Sequence, residues 1–321
     1  MNENLTLLAI VLGILHSGIR LATPYLYASL GEMFAQRSGV LNLGVEGIML
    51  MGSFFGFYTV FETQNVWLGL AVAGLVGALM GLLMAVVSVT FKAEQGISGI
   101  GLSLFGLGVS SLLFKMTLGT VEGVDGFSEL KFCLTSVGVK SGVCLSDVPV
   151  IGDIFFSHSL MTYLAYALVP VAAWVLARTT WGLKIKAVGQ NPEAADSLGV
   201  SVSAVRYATV TLGGIFAGIA GASLSISLLG IFQENMTNGI GFIAVALVYF
   251  GGWSPWGVLV GSLLFSTVNA IQLWGQVLNL PINSNVAVML PYLLTIIALA
   301  LPIRRAAQPA ALTKPFTRGE G

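Results

Sequence analysis

The sequence predicts an all-α membrane protein, a polytopic helix bundle of about eight to ten transmembrane segments. Hydrophobic residues make up 56% of the chain and charged residues only 9%, whereas soluble domains carry roughly 25% charged residues. The mean hydropathy is +0.90. Glycine accounts for 40 of the 321 residues, as expected where helices approach closely in lipid. Close packing is also indicated by three Gly-x3-Gly pairs, which begin at Gly77, Gly214 and Gly257.

The predicted segments follow one another along the whole chain. The first span begins near residue 5, reaches the Tyr25 region and is interrupted around 32–39, and the next covers about 44–60. Stretches of about 20 residues or more without Asp, Glu, Lys or Arg then lie at 66–91, 96–114, 159–177, 207–233 and 235–303. Turn-forming residues divide the last stretch into a short element near 238–252 and spans at 256–276 and 283–302. We interpret residues 1–321 as a single transmembrane domain.

Two polar, glycine-rich interruptions lie in different halves of the chain. Asn42 and Gly44 precede one apolar element, and residues 235–241 precede another. Each interruption predicts a short or re-entrant element whose freed backbone groups line a cavity. Their presence in both halves indicates a weak internal repeat.

Basic residues set the expected orientation. Segment 178–206 holds four basic and two acidic residues, and the tail at 304–321 holds four basic and one acidic. We expect the loop at about 179–203 and this tail to be cytoplasmic. The loop at about 115–157 holds three lysines and five acidic residues, so we expect it to be external.

The chain has two cysteines, Cys133 and Cys144, and both lie in the predicted external loop. An oxidising compartment would permit a disulfide between them. The alternative is two unpaired thiols in a long loop, and the sequence leaves both open.

The polar loop at 179–203 contains the signals of a short helix. Asn191 is a good N-cap, Pro192 suits the first helical position, Glu193 suits the positive helix start, and Gly199 suits the position after the end. They predict a helix over 192–198, about 10 Å long. On capping alone it is either a docking element or an ordinary well-capped turn.

Four segments resemble the permease subunits of bacterial ABC importers: residues 30–34, 37–49, 187–195 and 236–244. The similar branch is the ribose and branched-chain amino acid type, and within it the subgroup that serves nucleoside uptake. The resemblance covers nearly the whole chain in order.

The resemblance implies a set of partners. Two permease subunits, expected to be non-identical, would form the pathway, two cytoplasmic ATPases would drive it, and an external lipoprotein or periplasmic protein would deliver the solute. The location implied is the bacterial plasma (inner) membrane, with lipid around a multi-pass chain. A Glu-Ala-Ala-x3-Gly pattern matches the importer coupling loop, so the expected ATPase-coupling residues are Asn191, Pro192, Glu193, Ala194, Ala195 and Gly199.

The chain carries no G-x4-G-K-[ST] phosphate loop. We therefore expect that it is not an enzyme, that it has no cofactor of its own, and that ATP and Mg²⁺ bind to a partner ATPase. A formal net charge of +0 gives no reason to expect nucleic acid as a partner. His16 and His158 are too few and too isolated for a metal site.

The solute pathway is assigned to the two interruptions. Candidate lining residues are Asn42, Glu46, Phe105, Asn235, Thr237, Asn238 and Phe242. An acid in an otherwise uncharged span, such as Glu46, marks a pathway or a buried network. The structural alternative for Glu46 is a hydrogen bond with Arg37, Arg20 or a backbone amide at a helix start.

The sequence thus favours a nucleoside permease subunit of an ATP-driven importer. A permease for a simple sugar or another small polar solute is the alternative within this class. An autonomous secondary carrier or intramembrane enzyme that uses Glu46 is the alternative from outside it. The predicted docking helix separates them, since an autonomous protein has no evident need for one.

Overall fold

A computed structural model describes residues 7–127, 129–131, 133–134, 143–144, 151–278 and 308–318, with residues 289, 293 and 296. The architecture is a bundle of α-helices, as predicted. The helices are α1 (Leu7–Arg37), α2 (Val45–Thr63), α3 (Val66–Ala85), α4 (Gln95–Thr117), α5 (Ile151–Phe155), α6 (Leu160–Arg178), α7 (Thr180–Gln190), α8 (Pro192–Ser197), α9 (Val202–Ala222), α10 (Ile240–Phe250) and α11 (Pro255–Val277). Helices α3 and α9 continue as π-helical stretches, Val86–Thr90 and Ser223–Leu229.

Six helical segments in the described residues are long and apolar enough to cross a membrane. They are Ala9–Arg37, Val66–Thr90, Gln95–Thr117, Leu160–Arg178, Val202–Leu229 and Pro255–Val277. Each matches a predicted span, and α10 matches the predicted short element. The predicted span at 283–302 lies outside the continuously described residues.

Helix α2 forms the centre of the bundle. Thirteen of its 19 residues are buried, and it packs against α3, α4, α9 and α10. A helix covered on all sides reads as apolar all round, which explains why α2 has no polar face to mark its orientation.

The predicted interruption at 32–39 is wrong for its first six residues. Helix α1 continues through Glu32 to Arg37, and the break between α1 and α2 covers residues 38–44. Glu32 is fully buried, and its carboxylate accepts hydrogen bonds from Gln36 Nε2 and the Asn42 amide, both at 3.0 Å. The charge of Glu32 suggests the end of a span, although the residue lies inside α1. Gly39, with φ of +96°, follows the actual end.

The Gly-x3-Gly pairs of α3 and α9 pack directly against each other. Gly77 lies against the backbone of Gly214 and Gly218, and Gly81 lies against Gly214. The predicted packing role is confirmed, since the absence of side chains lets the two backbones touch. In the third pair, Gly257 lies against the backbone of Gly251, whereas Gly261 lies against the side chains of Phe250 and Leu247.

Short strands, which the sequence did not predict, occur in the region assigned to the external loop. Strand β1 (Glu129–Lys131) pairs antiparallel with β4 (Ser157–Ser159). Strand β2 (Cys133–Leu134) pairs with β3 (Val143–Cys144), and the register sets Cys133 opposite Cys144. Opposite residues of antiparallel strands have Cα atoms about 4.5–5.5 Å apart, within the range of a disulfide. The backbone register favours the disulfide, which stays a prediction.

The two polar faces of the bundle are at opposite ends. At one end the tail segment 308–318 binds the α1–α2 linker and α7, through Thr313 N to Gly39 O and Ala311 N to Gly189 O. At the other end Val124 N donates to Gly230 O, after α9. The charge distribution assigns the end with the tail and α7 to the cytoplasm, and the end with Val124 to the exterior.

We predict that Gly214→Ala destabilises the bundle by about 1–3 kcal/mol, because a Cβ there would overlap the Gly77 carbonyl and the α3–α9 contact would have to open. The measurement is the thermal unfolding midpoint of the purified protein in detergent. Gly101→Ala is the matched control, since a Cβ at Gly101 meets nothing within 4 Å. Equal midpoints for the two variants would contradict the proposed packing role.

Candidate functional site

The predicted docking helix is present as α8. Asn191 is its N-cap, with Oδ1 accepting from Ala194 N at 2.9 Å, and Pro192 occupies the first turn. Gly199 has φ of +82° and its amide donates to Asp196 O at 2.9 Å. Each local feature inferred from the sequence is thus confirmed, whereas the coupling role of these residues stays a prediction.

Helix α7, which the sequence analysis missed, carries α8. Thr179 caps it, with Oγ1 accepting from Gly182 N at 3.1 Å. Its buried face includes Ile185, Val188 and Gly189, and a Cβ at Gly189 would overlap the carbonyl of Arg37. Helix α7 is therefore docked on the end of α1. The Thr179 cap and the three-residue spacing of Gly182, Ile185 and Val188 were the available signals.

Positive charge is concentrated where α7 docks on the end of α1. Partial burial and the nearby Arg37 guanidinium lower the pKa of Lys186. Two positive side chains, Lys186 and Arg37, thus lie close together where α7 meets the end of α1.

The residues of the predicted coupling pattern differ in exposure. Ala195 is 2% exposed and faces the bundle. Glu193 and Ala194 are exposed. Leu198, which was not among the candidate residues, is 84% exposed at the end of α8. A large apolar side chain beyond the spans is available for contact with another protein.

The C-terminal tail binds the coupling region. Besides its bonds to Gly39 and Gly189, Lys314 O accepts from Arg206 Nη1 at 3.0 Å, and Arg318 Nε lies 2.9 Å from Asp196 Oδ2 of α8. Arg206 is 2% exposed and its Nε also donates to Ser38 O at 3.2 Å. The tail thus ties α8 to the α1–α2 linker, which no local pattern in the tail predicts.

The two predicted interruptions meet at Glu46. Its Oε1 accepts from Thr237 Oγ1 at 2.6 Å and from Gly239 N at 2.8 Å, and its Oε2 accepts from Gly241 N at 2.6 Å. Gly239 and Gly241 form the start of α10, so a carboxylate in the first turn of α2 caps the first turn of α10. Both helix starts favour negative charge.

Glu46 therefore accepts from backbone amides at a helix start, as the structural alternative expects, and from the Thr237 hydroxyl. Its place in the solute pathway stays a prediction. The two arginines bind elsewhere, since Arg37 Nε donates to Trp253 O at 2.7 Å and Arg20 Nη2 donates to Leu228 O at 2.7 Å.

A second buried network lies behind Asn42. The Asn42 side-chain Oδ1 accepts from Gly44 N at 2.9 Å, which shapes the linker, and the backbone N–H of Asn42 donates to Glu32 Oε1 at 3.0 Å. From Glu32 the network continues through Gln36, whose Oε1 accepts from Trp253 Nε1 at 2.9 Å. The linker is thus joined to the turn between α10 and α11. The sequence does not indicate Glu32 as the centre of this network, because an acid beside the predicted interruption is equally expected where a span ends.

The remaining pathway candidates lie in the turn before α10 and on helices α10 and α4. Asn235 and Asn238 have positive φ and form the turn before α10, a backbone conformation that asparagine tolerates well. Phe242 is 43% exposed on α10. Phe105 is 51% exposed on α4 and lines a separate recess of about 220 Å³ between α3 and α4.

Comparison with known proteins supplies the family. The family model described as "Branched-chain amino acid transport system / permease component" matches residues 14–299. A protein of Haloferax volcanii named as a glucose ABC transporter permease, TsgC13, is 37% identical over 95% of this chain and 98% of its own. No solved structure matches the chain.

Two further relatives carry nucleoside names. The guanosine ABC transporter permease protein NupQ of Bacillus subtilis is 35% identical, over 93% of this chain and 94% of its own. The nucleoside ABC transporter permease protein NupC of Lactococcus lactis is 36% identical, over 90% and 92%. This chain therefore belongs to the family of branched-chain amino acid transport system permease components, and it is a multi-pass transport component rather than an enzyme.

Proposed function

We propose that this chain is one of two non-identical permease subunits of an ATP-driven importer for nucleosides. The names of NupQ and NupC support the solute class. The name of TsgC13 keeps a simple sugar as the second candidate. A cytoplasmic ATPase would bind ATP and Mg²⁺, and an external binding protein would deliver the solute.

The observation that carries this proposal is the construction of α8. It is a capped helix with Glu193, Ala194 and Leu198 on its outward face, and it is bound to the bundle through α7 and the tail. Because α8 is bound to the bundle by these contacts, movement of a partner bound to α8 would move the bundle with it.

A physical route runs from α8 to the helix breaks. Movement of α8 would pass through Gly189 to the end of α1 and through the tail to Gly39. Both points border the linker 38–44, whose Asn42 is fixed by Glu32. We propose that closure of the ATPase pair moves this linker and, through Glu46, the start of α10.

The solute would pass between the two permeases along these breaks. Residues 42–46 and 235–242 supply the backbone and side-chain polar groups for such a path, because broken helices leave N–H and C=O groups without intrahelical partners. The Thr237 hydroxyl and the Gly239 and Gly241 amides already bind Glu46, so a solute would use the other polar groups of these segments.

The autonomous carrier receives less support from the geometry. A proton relay must exchange protons with water, whereas Glu46 is 5% exposed and both of its oxygens accept hydrogen bonds. The bonding pattern suits a helix cap better than a relay.

The proposed function predicts ATP-dependent uptake of labelled guanosine by the complete complex in proteoliposomes that enclose ATP and Mg²⁺ on the ATPase side. Uptake is expected to cease when Mg²⁺ is omitted, and labelled glucose is the comparison solute. Uptake that follows an imposed proton gradient without ATP would favour the carrier instead. Uptake of glucose in preference to guanosine would favour the sugar permease.

The coupling role predicts that Leu198→Ala lowers solute-stimulated ATPase activity by about five-fold or more, as expected for loss of a buried contact worth roughly 1 kcal/mol or more. Folding should be unaffected because the side chain is 84% exposed. Ile97→Ala, which removes a 75% exposed side chain from α4, is the control. Equal ATPase activities in the two variants would argue against docking through α8.

A further inference from the structure

A cavity of about 540 Å³ lies at the end of the bundle opposite to α8. Its walls come from Arg20 of α1, residues 125–127, strand β4 and the end of the π-helical stretch after α9. Its volume falls within the roughly 300–1,000 Å³ of small-molecule sites. None of the pathway candidates from the sequence lines it.

Arg20 is the first reason to regard this cavity as functional. It lies in an apolar span, 17 residues before Arg37, which is about 25 Å along the helix axis. That distance sets it near the outer limit of a hydrocarbon core about 30 Å thick. A cation inside an apolar span typically faces the bundle interior or a water-filled cavity. The Arg20 side chain is exposed and lines this cavity.

The π-helical wall is the second reason. Stretches of π-helix are found frequently at functional sites, and Ser223–Leu229 is seven residues long. It is the partner for three other walls: Leu228 O accepts from Arg20 Nη2 at 2.7 Å, Ser227 Oγ donates to Ser159 Oγ at 2.9 Å, and Gly126 packs against the carbonyl of Ile226. The walls are therefore joined by specific contacts.

The lining indicates the chemistry of the occupant. Arg20 and Asp125 are both exposed and oppositely charged, so a net anion or a net cation would meet one repelling group. Hydroxyl groups come from the serines of β4 and from Ser227, while Phe127 supplies an apolar surface. A neutral molecule with several hydroxyls and one flat apolar part matches this mixture of polar groups and apolar surface.

We infer that this cavity is an outer binding site for a neutral, hydroxyl-bearing solute of the nucleoside class, occupied before the solute reaches the helix breaks. This inference rests on the proposed function and adds to it a site within a single subunit.

The test uses Ser227→Cys in the complete complex and a membrane-impermeant thiol reagent added on the external side. Modification of residue 227 is read by peptide mass spectrometry, which separates it from Cys133 and Cys144. Guanosine is expected to slow this modification at least about five-fold, and glucose at the same concentration to slow it less. Glu122→Cys, in the same external segment and outside the cavity lining, is the control whose rate guanosine should leave unchanged.

A second variant tests the lining directly. Combining Ser227→Cys with Asp125→Asn should raise the guanosine concentration needed for half-protection by about ten-fold, since one hydrogen-bonding charge is lost. The matched change Glu122→Gln should leave that concentration unchanged.

Three results would overturn the inference: no modification of residue 227, a modification rate that guanosine does not change, or stronger protection by glucose than by guanosine. The readout needs neither ATP nor transport. Protection without ATP-driven uptake would therefore contradict the proposed function alone, and uptake without protection would contradict this site alone.

Discussion

The structure depends on one carboxylate that accepts hydrogen bonds from the free N–H groups of a helix that begins inside the bundle. A helix start carries free N–H groups, and lipid offers them no partner. At α10 those groups bind Glu46, which is contributed by the start of the central helix α2. Two broken elements from different halves of the chain are thereby held at one point. The start of α10 is held in place because Glu46 accepts hydrogen bonds from its Gly239 and Gly241 amides.

Glycine makes this central arrangement possible. Helix α2 reaches its neighbours through backbone contacts, with Gly52 against Gly218, Gly47 against Gly106, and Gly221 against the carbonyl of Met49. Close backbone approach brings α4 and α9 onto α2. The glycine enrichment of the sequence is thus a requirement of packing around α2, and the same tight contacts let movement of one helix reach the next.

Local signals in the sequence predicted what depends on local contacts. The caps at Asn191 and Gly199 gave the docking helix nearly to the residue, and hydrophobic runs gave the spans. The partners of Glu46 lie 191 to 195 residues away, and the tail reaches Gly39 and Asp196 from the far end of the chain. Contacts at such separations leave no pattern in a single sequence, so the network at Glu32, the docked tail and the cavity at Arg20 emerged only from the fold.

Hydrogen exchange at the Gly239 and Gly241 amides, compared between the native chain and Glu46→Gln, tests the central claim most directly. Glutamine keeps the shape but has one acceptor oxygen for three donors. The account predicts that these two amides exchange at least about ten-fold faster in the variant, while Glu62→Gln at the exposed end of α2 leaves them protected. Unchanged protection in Glu46→Gln would show that the carboxylate does not hold the start of α10.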